Sequence, residues 1–558
     1  MKSKTKRASL ALIVILSGST LFYVVNITPN AFGPYHDDSV YVVMAKALAT
    51  DQGYRIISLP NEPPQTKSPP FYLLLLSLVW RIYPKFPENL VPMMVLSILA
   101  TIASLALCWL YLVKHNYSTA WRSLLIVSLV AMNWRTVILA TGIYSEMTYL
   151  AISITTLYLA EDYEGRKGNW LRGVGLGFML GLAFLTRSSG ITLLLAVGSY
   201  FILRRQLRMA LIPLAVGSAL VLAWIAWGYF TPSPPDSLNA GYSESYFQTF
   251  REIFATSEST AKSLMTFVAV LAKNGLMLIF VSIPVVCLGL VYDWPHTLPP
   301  SIFNIGLGLF IMTFVFIVAG FRRHVAQGIR LLHIYVVFFL CLHILWPYTA
   351  YDRFLMPLLP FLLMFWVAEI ERLVLLVKNE LQSTKQIMAK ASASLVGLIL
   401  CVLISTAFYI YYLGISRLSV YSQEMARRNA EDIQAIEWIN AHTDPSDVLI
   451  CYRDPKYYLY TGRKSARSSP MREGGLVNET QASFDDQAKV IFRILKENRA
   501  RYLVLTWTDL ELKDQADIYQ NTYKMLPDRY PQIFVPVFRS ADERSTIYRI
   551  EKDDNVSL

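Results

Sequence analysis

The feature that most constrains this chain is the recurrence of apolar runs. They follow one another from Ala8 to about Gly414, after which the composition becomes ordinary. Ala8–Ile27, Leu90–Val113, Phe354–Val377 and Ser392–Leu413 each reach the roughly 20 residues needed to cross a bilayer core of about 30 Å. A soluble core would not supply so many long uncharged segments. The 558 residues, 54% hydrophobic and 16% charged, therefore read as a polytopic α-helical membrane protein with a polar tail.

The formal charge of +11 does not point to nucleic acid. Much of the excess sits in short clusters beside apolar runs, where the positive-inside bias places Lys and Arg. Cys108, Cys287, Cys341 and Cys401 lie in apolar runs and Cys451 stands alone in the tail. Neither a disulfide framework nor a CxxC metal pattern is visible. The leading MKSKTKR is followed by a long apolar stretch without a small-x-small cleavage site. It reads as a retained first helix with a cytoplasmic N-terminus.

That orientation sends Thr28–Pro70 outside as a long, proline-rich loop. Within it, Ser39–Thr50 carries Val40, Val43, Met44, Ala47 and Leu48 at helical spacing, which suits a helix lying along the membrane surface. Phe71–Tyr83 is too short for a full span. Successive crossings then put Lys114, His115 and Arg122 inside and Tyr144-Ser145-Glu146 outside. Arg166, Lys167 and Arg172 follow inside, Arg187 near the outer face, and Arg204, Arg205 and Arg208 inside. A second external loop covers Thr231–Lys262. For Arg322, Arg323 and Arg330 to lie inside, Leu264–Tyr292 is read as a non-spanning piece turned back at Pro284. The expectation is 11 full spans and two partial ones, with 13 spans the alternative. Either count is odd and leaves the tail outside.

Residues 1–415 are thus expected to form the membrane domain, with external loops 28–89 and 231–262. Residues 416–558 read as a soluble α/β domain. Helices are expected over Gln423–His442 and Asp485–Asn498. Strands are expected at Val448–Tyr452, Arg501–Leu505, Ile533–Phe538 and Thr546–Ile550, in a partly parallel sheet.

The candidate chemistry gathers on the outer face. Tyr35-His36-Asp37-Asp38 precedes the surface helix. One carboxylate suits a general base toward an acceptor hydroxyl or amine, and the other, with His36, suits a divalent metal. The plainer role is a helix cap by Asp37 or Asp38, and the two are compatible. Lys67, in Gln65-Thr66-Lys67-Ser68-Pro69-Pro70, can meet a phosphate as a point charge or simply anchor the loop to headgroups. Glu146 starts a helix, where a carboxylate favours the positive end. Arg187 interrupts an apolar hairpin, and Arg353 stands at the outer entry of a span. Each suits an anchor or an ion pair, but their shared side suits a phosphate leaving group, a base and a metal.

In this order and topology the chain resembles the GT-C glycosyltransferases, polytopic enzymes that take a sugar from a polyprenyl-phosphate donor. The nearest group comprises the protein O-mannosyltransferases and the lipid A aminoarabinose transferase. The resemblance rests on Asp37-Asp38 with Tyr41, Lys67-Ser68-Pro69-Pro70, Tyr144-Ser145-Glu146, Leu185-Thr186-Arg187 and Arg353-Phe354 through Pro360. In the tail it rests on Glu437-Trp438-Ile439 and Tyr458 through Lys464. It departs at Ser68, an extra residue between lysine and prolines, and at Phe354, where Tyr is common. The resemblance implies a GT-C fold of about 11–13 spans and a catalytic acidic centre at Asp37 and Asp38. It implies donor-phosphate contacts from Lys67, Arg187 and Arg353, with any divalent metal held partly by Asp38 and Glu146. Its implied partners are a polyprenyl-phosphate-linked sugar, a protein, lipid or glycan acceptor, and the bilayer. The transfer would proceed with inversion on the non-cytoplasmic face of a bacterial inner or plasma membrane. Two other classes compete. A transporter or flippase should show midplane charges and internal repeats, which the sequence lacks. A scaffold presenting the tail would not require acids and cations on one side.

Overall fold

The computed structural model describes residues 2–33, 36–165, 169–231, 260–289, 300–346, 352–383, 387–468, 483–506, 519–541 and 543–551. Tyr35 and nearly all of the second external loop lie outside them. Among the described residues six helices are long and apolar enough to cross a membrane. Ala120–Met132 and Trp134–Thr141, bent by 63°, count as one more if taken as a single span. Shorter apolar helices include Phe71–Ile82, Trp170–Thr186 and Leu331–Leu345. The architecture is the polytopic helical one that the apolar runs require. Contacts divide the chain into two compact units.

The first unit comprises Met1–Ile27, Met94–Ala223 and Ser259–Val420. Its helices are tied together where polar atoms would otherwise be stranded in an apolar interior. Tyr23 donates to the Ala131 carbonyl at 2.8 Å. Asn133 sits at the 63° bend, accepts from the Arg135 N–H at 3.0 Å and donates to the Val286 carbonyl at 2.8 Å. The chain does not turn back at Pro284. The α-helix Thr260–Met277 passes through a π-helical stretch, Leu278–Ser282, into Ile283–Leu288. That stretch widens the ladder just before the proline, whose missing N–H costs an α-helix one hydrogen bond and whose ring crowds the preceding turn. Nevertheless Arg330 donates to the His115 carbonyl at 2.7 Å and meets Glu161 at 3.0 Å. It therefore shares an end of the bundle with Lys114, as the expected topology requires.

The last apolar run does not stop near Leu413. Ile387–His442 is one helix of 56 residues. Gly414 brings no breakage because it is a packing position. A Cβ there would come within 3.1 Å of the Gly289 carbonyl oxygen and 3.3 Å of the Trp134 Cβ.

The second unit comprises Thr28–Met93, Trp224–Glu258 and Tyr421–Leu558. Its tail forms a five-stranded sheet: β1 (Leu449–Cys451), β2 (Ser465–Arg467), β3 (Tyr502–Thr506), β4 (Phe534–Arg539) and β5 (Ser545–Ile550), in the order β2-β1-β3-β5-β4. β1 pairs in parallel with β2 and β3, whereas β5 pairs antiparallel with β3 and β4. The end of the long helix closes one face through Ala435, Ile436 and Ile439, which pack on Leu449, Val504 and Ile547. Each buried isoleucine, leucine or valine among them contributes about 1.5–3 kcal/mol by leaving water.

The helix expected over Ser39–Thr50 spans Asp37–Ala49. Val40, Val43, Met44 and Ala47 are buried, as are Val42 and Ala45. The helix packs on Phe71–Ile82 and on Asp454–Thr461. Its periodicity, which suited a lipid surface, thus reflects burial against protein on more than one side.

Candidate active site

In the first unit the structure brings together Glu146, Arg187 and Arg353. The helix Trp170–Thr186 ends where Arg187 turns extended, at φ −149° and ψ 137°. A tight Ser188–Gly190 turn then restarts a helix at Ile191. Gly190 makes that return possible, because a Cβ would lie 2.4 Å from backbone atoms of Ala183 and Phe184. Arg187 is thereby left at the apex of the hairpin. Arg353 lies in a 3-10 turn, Asp352–Leu358, where Pro357 precedes the helix Leu359–Ser383. Glu146 opens the helix Glu146–Gly165.

Glu146 is 1% exposed. Its Oε1 lies 2.9 Å from Arg187 Nη1 and 3.4 Å from Arg353 Nε. Arg187 also donates to the Ser145 hydroxyl at 2.9 Å. The guanidiniums lie 5.6 Å (Arg187) and 5.1 Å (Arg353) from the Phe354 ring centre, and Arg353 lies 6.0 Å from that of Tyr144. Cation–π attraction needs only the ring face, so phenylalanine serves at 354 without a hydroxyl. Two guanidiniums against one carboxylate leave an excess positive charge among these three groups, the character an anion-binding site needs.

In the second unit the acidic pair splits into two environments. Asp38 is 2% exposed. Its Oδ2 accepts the Gly33 N–H at 2.7 Å and its Oδ1 accepts the Ser39 N–H at 2.8 Å. Burial raises its pKa; the two N–H bonds and His36 pull down, while Asp37 pushes further up. Asp37 is only half-buried. The cap expected from one of this pair therefore appears as a loop clasp by Asp38, bridging residues before and inside the helix start. His36 precedes the helix at a positive φ of 62°, with Nε2 3.2 Å from Asp454 Oδ1.

Lys67 is half-buried, with its backbone N–H donated to Gln65 Oε1 at 2.7 Å. Gln65 is held in turn by Trp227, whose indole N–H reaches its carbonyl at 2.9 Å. Tyr54 donates to the Ser68 carbonyl at 2.7 Å. The residue that separates lysine from prolines is thus a fixing point of the turn.

Among the described residues no group of three or more His, Cys, Asp or Glu side chains could hold an ion. Glu146 is charge-compensated by arginines, and Asp38 is engaged by N–H donors. Sequence reasoning missed the link from Asp454 to His36. Asp454-Pro455, an acid and a proline opening a helix, is the local signal that marks its start. It also missed a second buried cluster, where Glu161 meets His115 at 3.0 Å and Arg330 at 3.0 Å and accepts from Tyr117.

No family model matches the sequence, and no curated protein matches it. Solved structures do. The apo crystal structure of ArnT from Cupriavidus metallidurans superposes with a TM-score of 0.55 at 14% identity, covering 97% of this chain and 98% of that one. The chain shares the fold of that structure. The same ArnT bound to undecaprenyl phosphate gives 0.54 at 13% identity, over 98% of both chains. The Archaeoglobus fulgidus oligosaccharyltransferase, crystallised with Zn and sulfate, gives 0.54 at 14% identity, over 96% of this chain and 72% of that one.

Two outcomes are expected. Glu146→Ala leaves two arginines without their shared carboxylate and costs about 3–5 kcal/mol. Adding Arg187→Met should recover part of that loss, read as thermal unfolding in detergent. The Asp38 carboxyl is shifted up, so its ionisation opposes folding. Stability from this group is intact below the ordinary carboxylate range and falls as pH rises through its folded pKa. Asp38→Asn should remove that limb from the pH–stability curve.

Proposed function

We propose that the protein is an integral-membrane glycosyltransferase that moves a sugar from a polyprenyl-phosphate donor to a protein, lipid or glycan acceptor. The observation that carries this reading is the end-to-end likeness to a structure holding undecaprenyl phosphate, in a chain that gathers Arg187 and Arg353 on Glu146. The sugar is a hexose or pentose unit, and the reaction faces the non-cytoplasmic side. ArnT and the oligosaccharyltransferase point to the same reaction class; a transporter has no comparable support here.

In the proposed step Asp37 takes the proton of the acceptor hydroxyl or amine. The acceptor atom then bonds to the anomeric carbon from the face opposite the phosphate, so configuration inverts. The anomeric C–O bond breaks, and its electron pair leaves on the lipid phosphate. Arg187, Arg353 and Lys67 stabilise that developing charge, which is where preorganised cations act most strongly. Asp37 is preferred to Asp38 as base because it is less buried and Asp38 already accepts two backbone N–H bonds. Asp38 holds the loop.

Asp37→Asn should abolish the glycan product in a complemented deletion strain while expression and insertion stay normal; wild-type product in that variant would sink the base assignment. A periplasm-active reporter fused after Leu558 should be active, and a silent one would overturn the sidedness. Arg187→Ala should weaken undecaprenyl phosphate binding about tenfold, equivalent to about 1.4 kcal/mol. Native mass spectrometry or ligand-induced thermal stabilisation reads that shift.

A further inference from the structure

The loop that carries Asp37 and Asp38 is gripped from the C-terminal domain on both sides of residues 34–35. On the near side, Gly33 adopts φ +104°, a conformation open to glycine and rare for other residues. The place its Cβ would take is filled by the stem of Lys456, with Cδ 3.0 Å away. The Gly33 N–H donates to Asp38, so the position of Gly33 is passed on to that carboxylate. On the far side, the His36 ring reaches Asp454 at 3.2 Å, one residue before Asp37.

Asp454 and Lys456 share the first turn of the helix Asp454–Thr461 and are 0% and 1% exposed. Lys456 is anchored behind by Asn429 at 3.0 Å and by Asp432, which also binds Arg453 at 2.9 Å. The grip is therefore mounted on a buried network of the domain's own core. The descending limb of the loop is held as well. Lys464 donates to the Ile57 carbonyl at 2.6 Å, and the Ser465 N–H to the Ser58 carbonyl at 2.9 Å.

We propose that Asp454 and Lys456 are positioning residues, and that the C-terminal domain serves the reaction by setting the pose of the acidic pair through His36 and Gly33. This rests on the reading of Asp37 and Asp38 as the acidic centre of sugar transfer. Neither Asp454 nor Lys456 touches the reacting atoms. Their loss misplaces a base, and misplacement by about 1 Å costs about 100-fold in rate.

The test uses the full chain in lipid nanodiscs and in a complemented deletion strain. Asp454→Ala and Lys456→Met should speed amide hydrogen exchange across residues 32–49 and cut the glycan product about 100-fold. Undecaprenyl phosphate binding should stay within about twofold, which a general loss of structure would not permit. Asp454→Glu, which keeps the acceptor, should restore part of the product. Since Asp454 is buried, His36→Asn severs the same link from the loop; asparagine, like histidine, is enriched at positive φ but falls short of Asp454. It must reproduce the faster exchange and the lost product with residues 449–467 still protected. Unchanged exchange at 32–49 in His36→Asn, or full product in both His36→Asn and Asp454→Ala, overturns the positioning role. If Asp37→Asn and Asp38→Asn both keep full product, the acidic centre itself is misassigned, and the exchange data still decide the grip.

Discussion

A carboxylate at 1% exposure is costly to hold unless cations meet it, and Glu146 draws two. Arg187 arrives from the apex of a helical hairpin and Arg353 from a short turn before the helix Leu359–Ser383. Three segments far apart in sequence are therefore pinned at one point, and Phe354 is placed beneath both guanidiniums. The same helix repeats the device near its other end, where Glu161 meets Arg330 and His115. Fifteen residues at 1.5 Å rise put the two carboxylates about 22 Å apart. The helix Glu146–Gly165 is thus a strut with a compensated acid toward each end, and its charges keep it off a purely hydropathic count of spans.

The second unit solves a different problem. A loop rich in proline and polar residues has little local preference for one shape, yet a base must be presented at one angle. Local devices supply part of the order: the Asp38 clasp, the Gln65 turn and the Tyr54 bond to Ser68. The remainder comes from a domain some 400 residues later in the chain, through the His36–Asp454 contact, the Lys456 stem against Gly33, and the bonds of Lys464 and Ser465 to loop carbonyls. Lys46 lies 4.6 Å from the Tyr458 ring centre, and the Phe86 and Tyr460 rings are 4.8 Å apart, adding aromatic contact to the polar ones.

The fold class was legible because apolar run length is a one-dimensional signal. The mixed sheet was legible because Val448–Tyr452, Arg501–Leu505 and the last two strands are short apolar runs between polar turns. Glu146, Arg187 and Arg353, which the sequence reads only as sharing one face, lie in contact with one another. Other features depend on packing and could not be read. β2, with the sequence Ser465-Ala466-Arg467, has no strand pattern and exists because β1 and the loop backbone flank it. Gly414 looks like a helix stop and is instead a point of close approach. Pro284 looks like a reversal, but a π-helical stretch absorbs it. The surface-helix reading of Ser39–Thr50 failed for a related reason: an apolar stripe does not say whether lipid or protein covers it.

Ser58 shields β2 through its backbone carbonyl. β2 is an outer strand of the sheet, and the backbone of the first loop covers part of its margin through the bond from Ser465. Exposed strand margins recruit other chains. A tail expressed alone, without residues 28–93, would carry a bare β2 and uncovered apolar positions around Tyr457 and Tyr458. It should be sticky and prone to self-association, so the familiar practice of excising such a domain for study removes the very segment that keeps it solitary.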